Sequence, residues 1–240
     1  MNSSRARGRC RFRQLIEVLT EMDFTRANPS PRFRELLEGY RTMHANGEQF
    51  MNVAAVDTFP GFTLLSEAHH VKRLIDRTGA LNVLDYGSGK GRQYDARAVR
   101  LATGEVAESI VDYWGIDYVH CYDPSVPGFS NLPQGTFHGV VSTDVLEHCP
   151  EEDLPWIVEE MFGYAERFLY ASVACFPAKK RLPSGENAHC TIRPPEWWAE
   201  LFRRVAAGAP GVFWKLSASV RTGEGADATC GEARLTSGEG

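Results

Sequence analysis

A short run of glycines after an apolar segment constrains this chain more than any other feature. Residues 83–91 read Val-Leu-Asp-Tyr-Gly-Ser-Gly-Lys-Gly, with Gly87, Gly89 and Gly91 at alternate positions. Because glycine has no Cβ atom, such a turn can take positive φ angles and lets a ligand approach the bare backbone. The segment therefore predicts a buried strand, a ligand-contacting turn and then a helix.

The spacing of the glycines indicates which class of ligand such a turn binds. Dinucleotide-binding turns carry G-x-G-x-x-G and an acidic residue about 20 positions further on. This chain has G-x-G-x-G instead, and Asp85 lies two positions before the first glycine. The pattern disfavours a nicotinamide dinucleotide as the ligand.

Two later segments read as further strands that end in an acidic residue. Residues 119–124 are Val-His-Cys-Tyr-Asp-Pro, and residues 137–148 are Phe-His-Gly-Val-Val-Ser-Thr-Asp-Val-Leu-Glu-His. Together with the glycine turn, they resemble the class I S-adenosylmethionine-dependent methyltransferases. One departure is His138, which stands where that family usually carries Asp.

The resemblance implies an α/β fold: a doubly wound, Rossmann-like, mostly parallel sheet with helices on both faces. It also implies S-adenosyl-L-methionine as the cofactor, with the glycine turn at its amino-acid and sugar portions and Asp123 at the ribose diol. The residues that match the family's cofactor-binding positions are Asp85, Tyr86, Gly87, Ser88, Gly89, Gly91, Asp123, Pro124 and Asp144. For Asp123, an Asp-Pro turn without a ligand remains the alternative.

Four polar side chains fall where a methyl acceptor would lie. Asp144, Glu147 and His148 are spaced i, i+3 and i+4, so one helical turn brings them to a common side. His189 lies in the loop after the next predicted strand. We predict that His148 and His189 are the catalytic residues that activate the acceptor.

The same four side chains resemble the metal site of the metal-dependent small-RNA 2′-O-methyltransferases. The ubiquinone-pathway O-methyltransferases share its E-x-x-E-H part. The resemblance implies a divalent cation (Mg, Mn, Fe or Zn) held by Asp144, Glu147, His148 and His189. Asp144 stands where these families carry Glu. A metal-free acid–base role and a purely structural role remain open.

Composition limits the partners of the chain. Its net charge of −5 argues against a nucleic-acid partner, so a small-molecule acceptor is favoured. Six cysteines without a C-x-x-C pair are typical of a reducing, cytoplasmic location. No apolar run approaches the length of a membrane helix, so no membrane partner is expected. Nothing in the pattern indicates an oligomeric state.

Three parts are predicted along the chain: a helical N-terminal cap or lid over residues 1–65, a cofactor-binding domain over 66–221 and a disordered tail over 222–240. The tail is rich in Gly, Glu, Ala and Thr and has little apolar surface to bury. Helices are predicted at 12–22, 32–44, 66–76, from Gly91 to about 101, at 151–167 and at 195–206. The fourth buried strand is predicted at 168–174, and a closing antiparallel pair at 212–216 and 219–221.

The loop that precedes the last predicted helix combines basic and aromatic residues. Lys179, Lys180 and Arg181 come early in it, and Arg193, Trp197 and Trp198 follow. Two interpretations remain open. These residues bind an anionic group of the acceptor, or the loop is solvated and the two tryptophans belong to the core.

The sequence predicts an S-adenosylmethionine-dependent enzyme that methylates a small or medium polar acceptor, at oxygen rather than nitrogen. Two alternatives use the same cofactor. One transfers the aminocarboxypropyl group, and the other is a non-catalytic protein that only binds the cofactor.

Overall fold

The computed structural model describes residues 24–222, 229–230 and 234–239. Within those ranges the α-helices are α1 (Pro31–Asn46), α2 (Leu64–Thr78), α3 (Arg92–Asp95), α4 (Ile110–Trp114), α5 (Leu154–Tyr164) and α6 (Pro195–Ala206). The strands are β1 (Asn82–Tyr86), β2 (Val99–Arg100), β3 (Val106–Ala107), β4 (Tyr118–Tyr122), β5 (Phe137–Thr143), β6 (Ala165–Ala174), β7 (Phe213–Ser219), β8 (Arg221–Thr222), β9 (Thr229–Cys230) and β10 (Arg234–Glu239).

The main sheet has six strands in the order β10-β7-β6-β5-β1-β4. All neighbouring pairs are parallel except β10 with β7. If only the parallel strands are numbered along the chain, their order is 2-1-3-4-5, which is that of a doubly wound fold. In such folds ligands bind beyond the carboxyl ends of the strands where the order reverses, here between β1 and β5. The predicted fold class is confirmed.

Helices cover both faces of this sheet. The apolar side of α2, with Ala68, Val71 and Ile75, packs on one face together with α4. Helices α5 and α6 cover the other face, where Trp198 and Phe202 are fully buried. Burial on both faces explains why the central strands contain apolar runs, such as 139–141 and 168–171, instead of alternating with polar residues. Trp197 and Trp198 therefore belong to the core.

The C-terminal part of the sheet differs from the prediction in two ways. Strand β7 runs parallel to β6, and its antiparallel partner is β10, not a strand at 219–221. The prediction of a disordered tail is thus wrong for residues 234–239. Backbone pairing to an existing strand needs no apolar side chains, which is why composition gave no sign of it.

Two predicted helices are shorter in the structure. The helix after Gly91 ends at Asp95, since Ala98 has a positive φ of 51° and Val99–Arg100 pairs with β3. The helix predicted at 151–167 ends at Tyr164, and Ala165 begins β6. The predicted helix at 12–22 lies outside the described residues. No helix in the described ranges combines the length and the apolar character needed to cross a bilayer.

Candidate functional site

A cavity of about 660 Å³ lies beyond the carboxyl ends of the parallel strands, as the strand order predicts. Its size falls within the range of small-molecule and cofactor sites, roughly 300–1,000 Å³. The residues predicted from the sequence that line it are Asp85, Tyr86, Gly87, Ser88, Gly89, Asp123, Pro124, Asp144, His148 and His189. Gly91 and Glu147 are outside this lining. Ten of the twelve predicted site residues therefore surround one space.

The turn after β1 requires glycine for two reasons: its φ angles are positive, and a Cβ atom would collide with neighbouring residues. Gly87, Gly89 and Gly91 have φ angles of 88°, 56° and 65°. A Cβ atom on Gly87 would lie 2.4 Å from Val145 Cγ2, and one on Gly89 would lie 2.4 Å from the Phe59 carbonyl oxygen. The turn is therefore packed closely against the chain segments that frame the cavity.

Each backbone N–H group of this turn already donates to an acceptor within the protein. Those of Gly87 and Ser88 donate to the Tyr122 carbonyl, and that of Gly89 donates to Asp123 Oδ2 at 3.0 Å. The next two, of Lys90 and Gly91, donate to the carbonyls of Phe59 and Ser88. A phosphate-binding turn needs free N–H groups and a following helix, but α3 has only four residues. This turn is unsuited to a pyrophosphate.

Asp123 directly follows β4 and is buried, with 8% of its surface exposed. Its Oδ1 accepts hydrogen bonds from the backbone N–H and the hydroxyl of Ser125, and its Oδ2 accepts from Gly89. These donors hold the carboxylate in one orientation on the cavity wall. Because each carboxylate oxygen has more than one lone pair, it can still accept from a ligand hydroxyl.

Asp85 lies at the base of the glycine turn and is 2% exposed. Its Oδ2 accepts from Gln93 Nε2 at 3.0 Å and from the Tyr94 hydroxyl at 2.8 Å. Burial raises the pKa of Asp85 to about 7, although these donors act against the shift. Asp85 therefore changes charge close to neutral pH.

His148 and His189 form a pair, with ring centroids 4.7 Å apart and ring planes at 85°. His148 Nδ1 lies 3.0 Å from the Ala188 carbonyl, and His189 Nδ1 lies 2.6 Å from the Phe176 carbonyl. A carbonyl oxygen only accepts, so each Nδ1 carries the proton and each Nε2 holds a lone pair. Neither Nε2 has a hydrogen-bond partner among the described residues.

Burial keeps both imidazoles neutral. It lowers the pKa of His148 to about 3 and also lowers the pKa of His189. Lys180 adds to the shift of His148, and Arg221 adds to that of His189, because each brings a positive charge nearby. The pair thus offers two unprotonated nitrogens across the whole physiological pH range.

Glu147 is fully buried behind the cavity. Its Oε1 accepts from the Ala174 backbone N–H at 2.6 Å, which ties the segment after β5 to the end of β6. Burial, and after it the negative charge of Asp144, raise the pKa of Glu147 well above its ordinary value. Its role in the structure is to hold two strand ends together.

The predicted metal ligands lie near one another but do not form a ligand set. Burial raises the pKa of Glu147, which disfavours the carboxylate that a metal ion needs, and its Oε1 already accepts from the Ala174 N–H. Across the described ranges, no group of three or more His, Cys, Asp and Glu side chains is placed to hold one metal ion. The donor set does not fit the divalent cation that the resemblance implied, and no chemical step is assigned to one.

Several cavity residues come from the N-terminal segment, where the sequence predicted a cap but named no site residue. The Tyr40 hydroxyl lies 2.8 Å from His148 Nδ1 and donates to the Ala188 carbonyl at 2.7 Å. Phe59 stands beside Tyr40 and His148, with centroids 5.8 and 6.0 Å away. Their helical spacing and turn pattern indicated local structure only, since these contacts form across more than 80 residues of chain.

Arg26 fixes that segment to the sheet. Its guanidinium donates to both carboxylate oxygens of Glu160 and to the hydroxyls of Tyr86 and Tyr122, at 2.8 and 2.9 Å. Its Cζ also lies 5.0 Å from the ring centre of Trp156. A single arginine in the cavity wall therefore connects the cap to β1, β4 and α5.

Comparison with known proteins leaves the site to be interpreted from its own geometry. No protein-family model, curated protein or solved structure matches this chain.

Proposed function

We propose that this protein transfers the methyl group of S-adenosyl-L-methionine to an oxygen of a small polar acceptor. The observation that carries the proposal is the glycine turn, whose N–H groups from Gly87 to Gly91 are all used within the protein. That turn still forms one wall of a cofactor-sized cavity. A nucleoside cofactor without phosphate groups fits this arrangement, and a dinucleotide does not.

The residues around the turn supply the contacts that such a cofactor requires. Asp123 is oriented to accept the ribose hydroxyls, and Tyr86, Ser88 and Pro124 border the space beside it. When bound, S-adenosyl-L-methionine supplies an activated methyl group. The protein then has to hold the acceptor oxygen in line with that methyl and to receive the acceptor's proton.

The histidine pair is the base that the proposal assigns. His148 and His189 line the cavity, and each presents Nε2 with a free lone pair. Burial lowers both pKa values, so both imidazoles are unprotonated near pH 7. The same shift weakens them as proton acceptors, most of all His148, whose pKa falls to about 3, whereas the charge of Asp144 acts against the shift of His189. A general base in reach of the acceptor contributes about 100- to 10,000-fold to a rate.

Calorimetry with two ligands side by side tests the cofactor assignment. We expect S-adenosylhomocysteine to bind the purified protein and NAD to show no binding. Tight binding of NAD, or no binding of S-adenosylhomocysteine, would contradict the proposal.

Mass spectrometry of the product tests the type of transfer. A gain of one methyl group on the acceptor supports the proposal, and a gain of an aminocarboxypropyl group indicates the alternative reaction. If S-adenosylmethionine binds but exchanging both histidines changes no activity in the cell, the protein is a cofactor-binding protein and not an enzyme.

A further inference from the structure

The cavity contains two cations that form no ion pair within the part of the chain that the structure describes. Lys180 and Arg221 both line it. Among the described residues, neither makes an ion pair, whereas the cavity arginine Arg26 is paired with Glu160. Lys180 is half-buried, and burial lowers its pKa although the nearby carboxylates of Asp144 and Glu48 act against that shift, so an anionic ligand would stabilise its charged form.

Each of these cations rests on an aromatic ring. Lys180 Nζ lies 4.4 Å from the centre of the Phe59 ring, and Arg221 Cζ lies 4.6 Å from the centre of the Phe176 ring. A cation–π contact of this kind fixes the position of the charge without neutralising it. Both charges therefore remain available to a ligand.

The rings under the cations lead directly to the histidine pair. Phe59 is 6.0 Å from His148, and Phe176 is 6.3 Å from His189, measured between ring centroids. The two cations thus flank the nitrogens that would receive the acceptor's proton. Around them the cavity wall is largely apolar and includes Leu36, Leu37 and Phe62.

We propose that Lys180 and Arg221 bind an anionic group of the methyl acceptor, so that the substrate class is a small hydroxylated acid with an apolar or aromatic body. The anionic group is a carboxylate or a phosphate, and its binding places the hydroxyl of the acceptor at the histidine pair. This inference rests on the proposed function, since it names the substrate of the same site.

The two cations follow other strands than the cofactor contacts, but Lys180 lies near the glycine turn, because the carbonyl of Phe59, whose ring Lys180 contacts, accepts from the Lys90 N–H. Asp123 and the glycine turn follow β4 and β1, whereas Lys180 follows β6 and Arg221 follows β7, on the other side of β5. The cofactor's own carboxylate is the competing anion within the cavity. The experiment therefore measures the cofactor product and the acceptor anion separately.

Calorimetry on the protein saturated with S-adenosylhomocysteine tests the site, with benzoate, phenyl phosphate and neutral benzamide as probes. We expect one of the two anions to bind at least tenfold more tightly than benzamide. The tighter of the two identifies the anionic group as carboxylate or phosphate. Lys180→Gln and Arg221→Gln should each weaken that anion at least tenfold, while Lys180→Arg should preserve most of its affinity.

The control is Arg181→Gln, which removes the same charge from an exposed neighbour whose guanidinium donates to the Gly185 carbonyl outside the cavity lining. This variant should bind the anion like the wild type. Unchanged affinity of every variant for S-adenosylhomocysteine shows that the fold and the cofactor site are intact.

Three results would overturn the inference: no preference for an anion over benzamide, equal anion affinity in the wild type and both glutamine variants, or a loss of S-adenosylhomocysteine affinity instead of anion affinity. The third would assign the cations to the cofactor's carboxylate. Failure of the proposed function appears differently, as absence of S-adenosylhomocysteine binding in the wild type, and the anion titrations are then run on the unliganded protein.

Discussion

The two sides of the cavity differ in how completely their polar groups are bonded within the protein. On the side of β1 and β4, Asp85, Asp123 and the N–H groups of the glycine turn all have hydrogen-bond partners. On the side of β5, β6 and β7, the Nε2 atoms of both histidines have no hydrogen-bond donor, and Lys180 and Arg221 form no ion pair, among the described residues.

This difference indicates that the two sides of the cavity bind different ligands. A surface whose groups hold one another in place is rigid before any ligand arrives, so it suits a ligand that is the same in every turnover. Groups without partners gain the most from a ligand that supplies them, which suits the molecule that reacts. Four substitutions test this contrast, from the largest expected effect to the smallest.

Removing a histidine base should affect turnover and not cofactor binding. We expect His148→Gln to lower kcat by about 100- to 10,000-fold, because the acceptor's proton loses its receiver. Affinity for S-adenosylhomocysteine should change by less than about threefold, since the cofactor contacts lie across the cavity. Transfer of a tritiated methyl group to a hydroxy acid measures kcat, and calorimetry measures the affinity for S-adenosylhomocysteine.

The control is His120→Gln, because His120 lies outside the cavity lining. Full turnover by H148Q would contradict the assignment.

Adding one methyl group to the glycine turn should damage the rigid side. Gly87→Ala forces alanine to a φ of 88° and places its Cβ atom 2.4 Å from Val145. We expect the free energy of unfolding to fall by about 3 kcal/mol from the combined strain and overpacking. S-adenosylhomocysteine binding should be lost as well. Urea denaturation and calorimetry check both effects.

The matched control is Gly115→Ala. Gly115 also has a positive φ, 69°, but a Cβ atom there meets nothing within 4 Å. This variant should lose only about 1 kcal/mol, the cost of the backbone conformation. Equal losses in the two variants would show that packing against Val145 is unimportant.

The buried carboxyl of Asp85 should make stability depend on pH. Its pKa is raised to about 7 in the folded protein, so the folded state binds more protons than the unfolded state above pH 4. Stability is therefore present at low pH and falls as pH rises through 7, by about 2 kcal/mol between pH 5 and pH 7. Asp85→Asn should remove this decline in the free energy of unfolding. Urea denaturation at pH 5 and at pH 7 measures it. The exposed Asp95→Asn should leave it in place.

The smallest effect is expected at the group that positions a histidine. The Tyr40 hydroxyl contacts His148 Nδ1 and the Ala188 carbonyl. Tyr40→Phe leaves the ring packing in place and removes about 1 kcal/mol of hydrogen bonding. We expect kcat to fall about fivefold with KM unchanged, and the exposed Tyr118→Phe to have no effect. A rise in KM alone would indicate that Tyr40 contacts the acceptor instead.

Much of the sheet was predictable because its signals are local. The apolar runs at 83–86, 119–122 and 137–143 end in glycine or acidic residues, and the structure places all three as parallel strands. The helix at 195–206 was predicted with its bounds because Pro195 fits a first turn. Strand β10 was not predictable, since its pairing with β7 depends on backbone hydrogen bonds and not on side-chain pattern.

The cavity was predictable on one side only. Residues 85–89 and Asp123 carry a motif with fixed spacing, so their convergence followed from the fold. Tyr40 and Phe59 reach His148 across more than 80 positions, and Arg221 reaches His189 across more than 30, for which a single sequence holds no local signal. The spacing of Glu147 left a ligand and a structural role open, and its full burial and the bond to Ala174 favour the structural role.

The antiparallel strand β10 forms one outer edge of the main sheet. It pairs with β7 along residues 234–239, so it covers the backbone groups on the outer side of a long, largely buried strand. A protease that cuts after residue 222 would release this cover and leave β7 as a bare edge, which can recruit a strand from another chain. Without residues 234–239 the main sheet would keep five strands, and its outer strand would be β7, whose side chains are mostly buried.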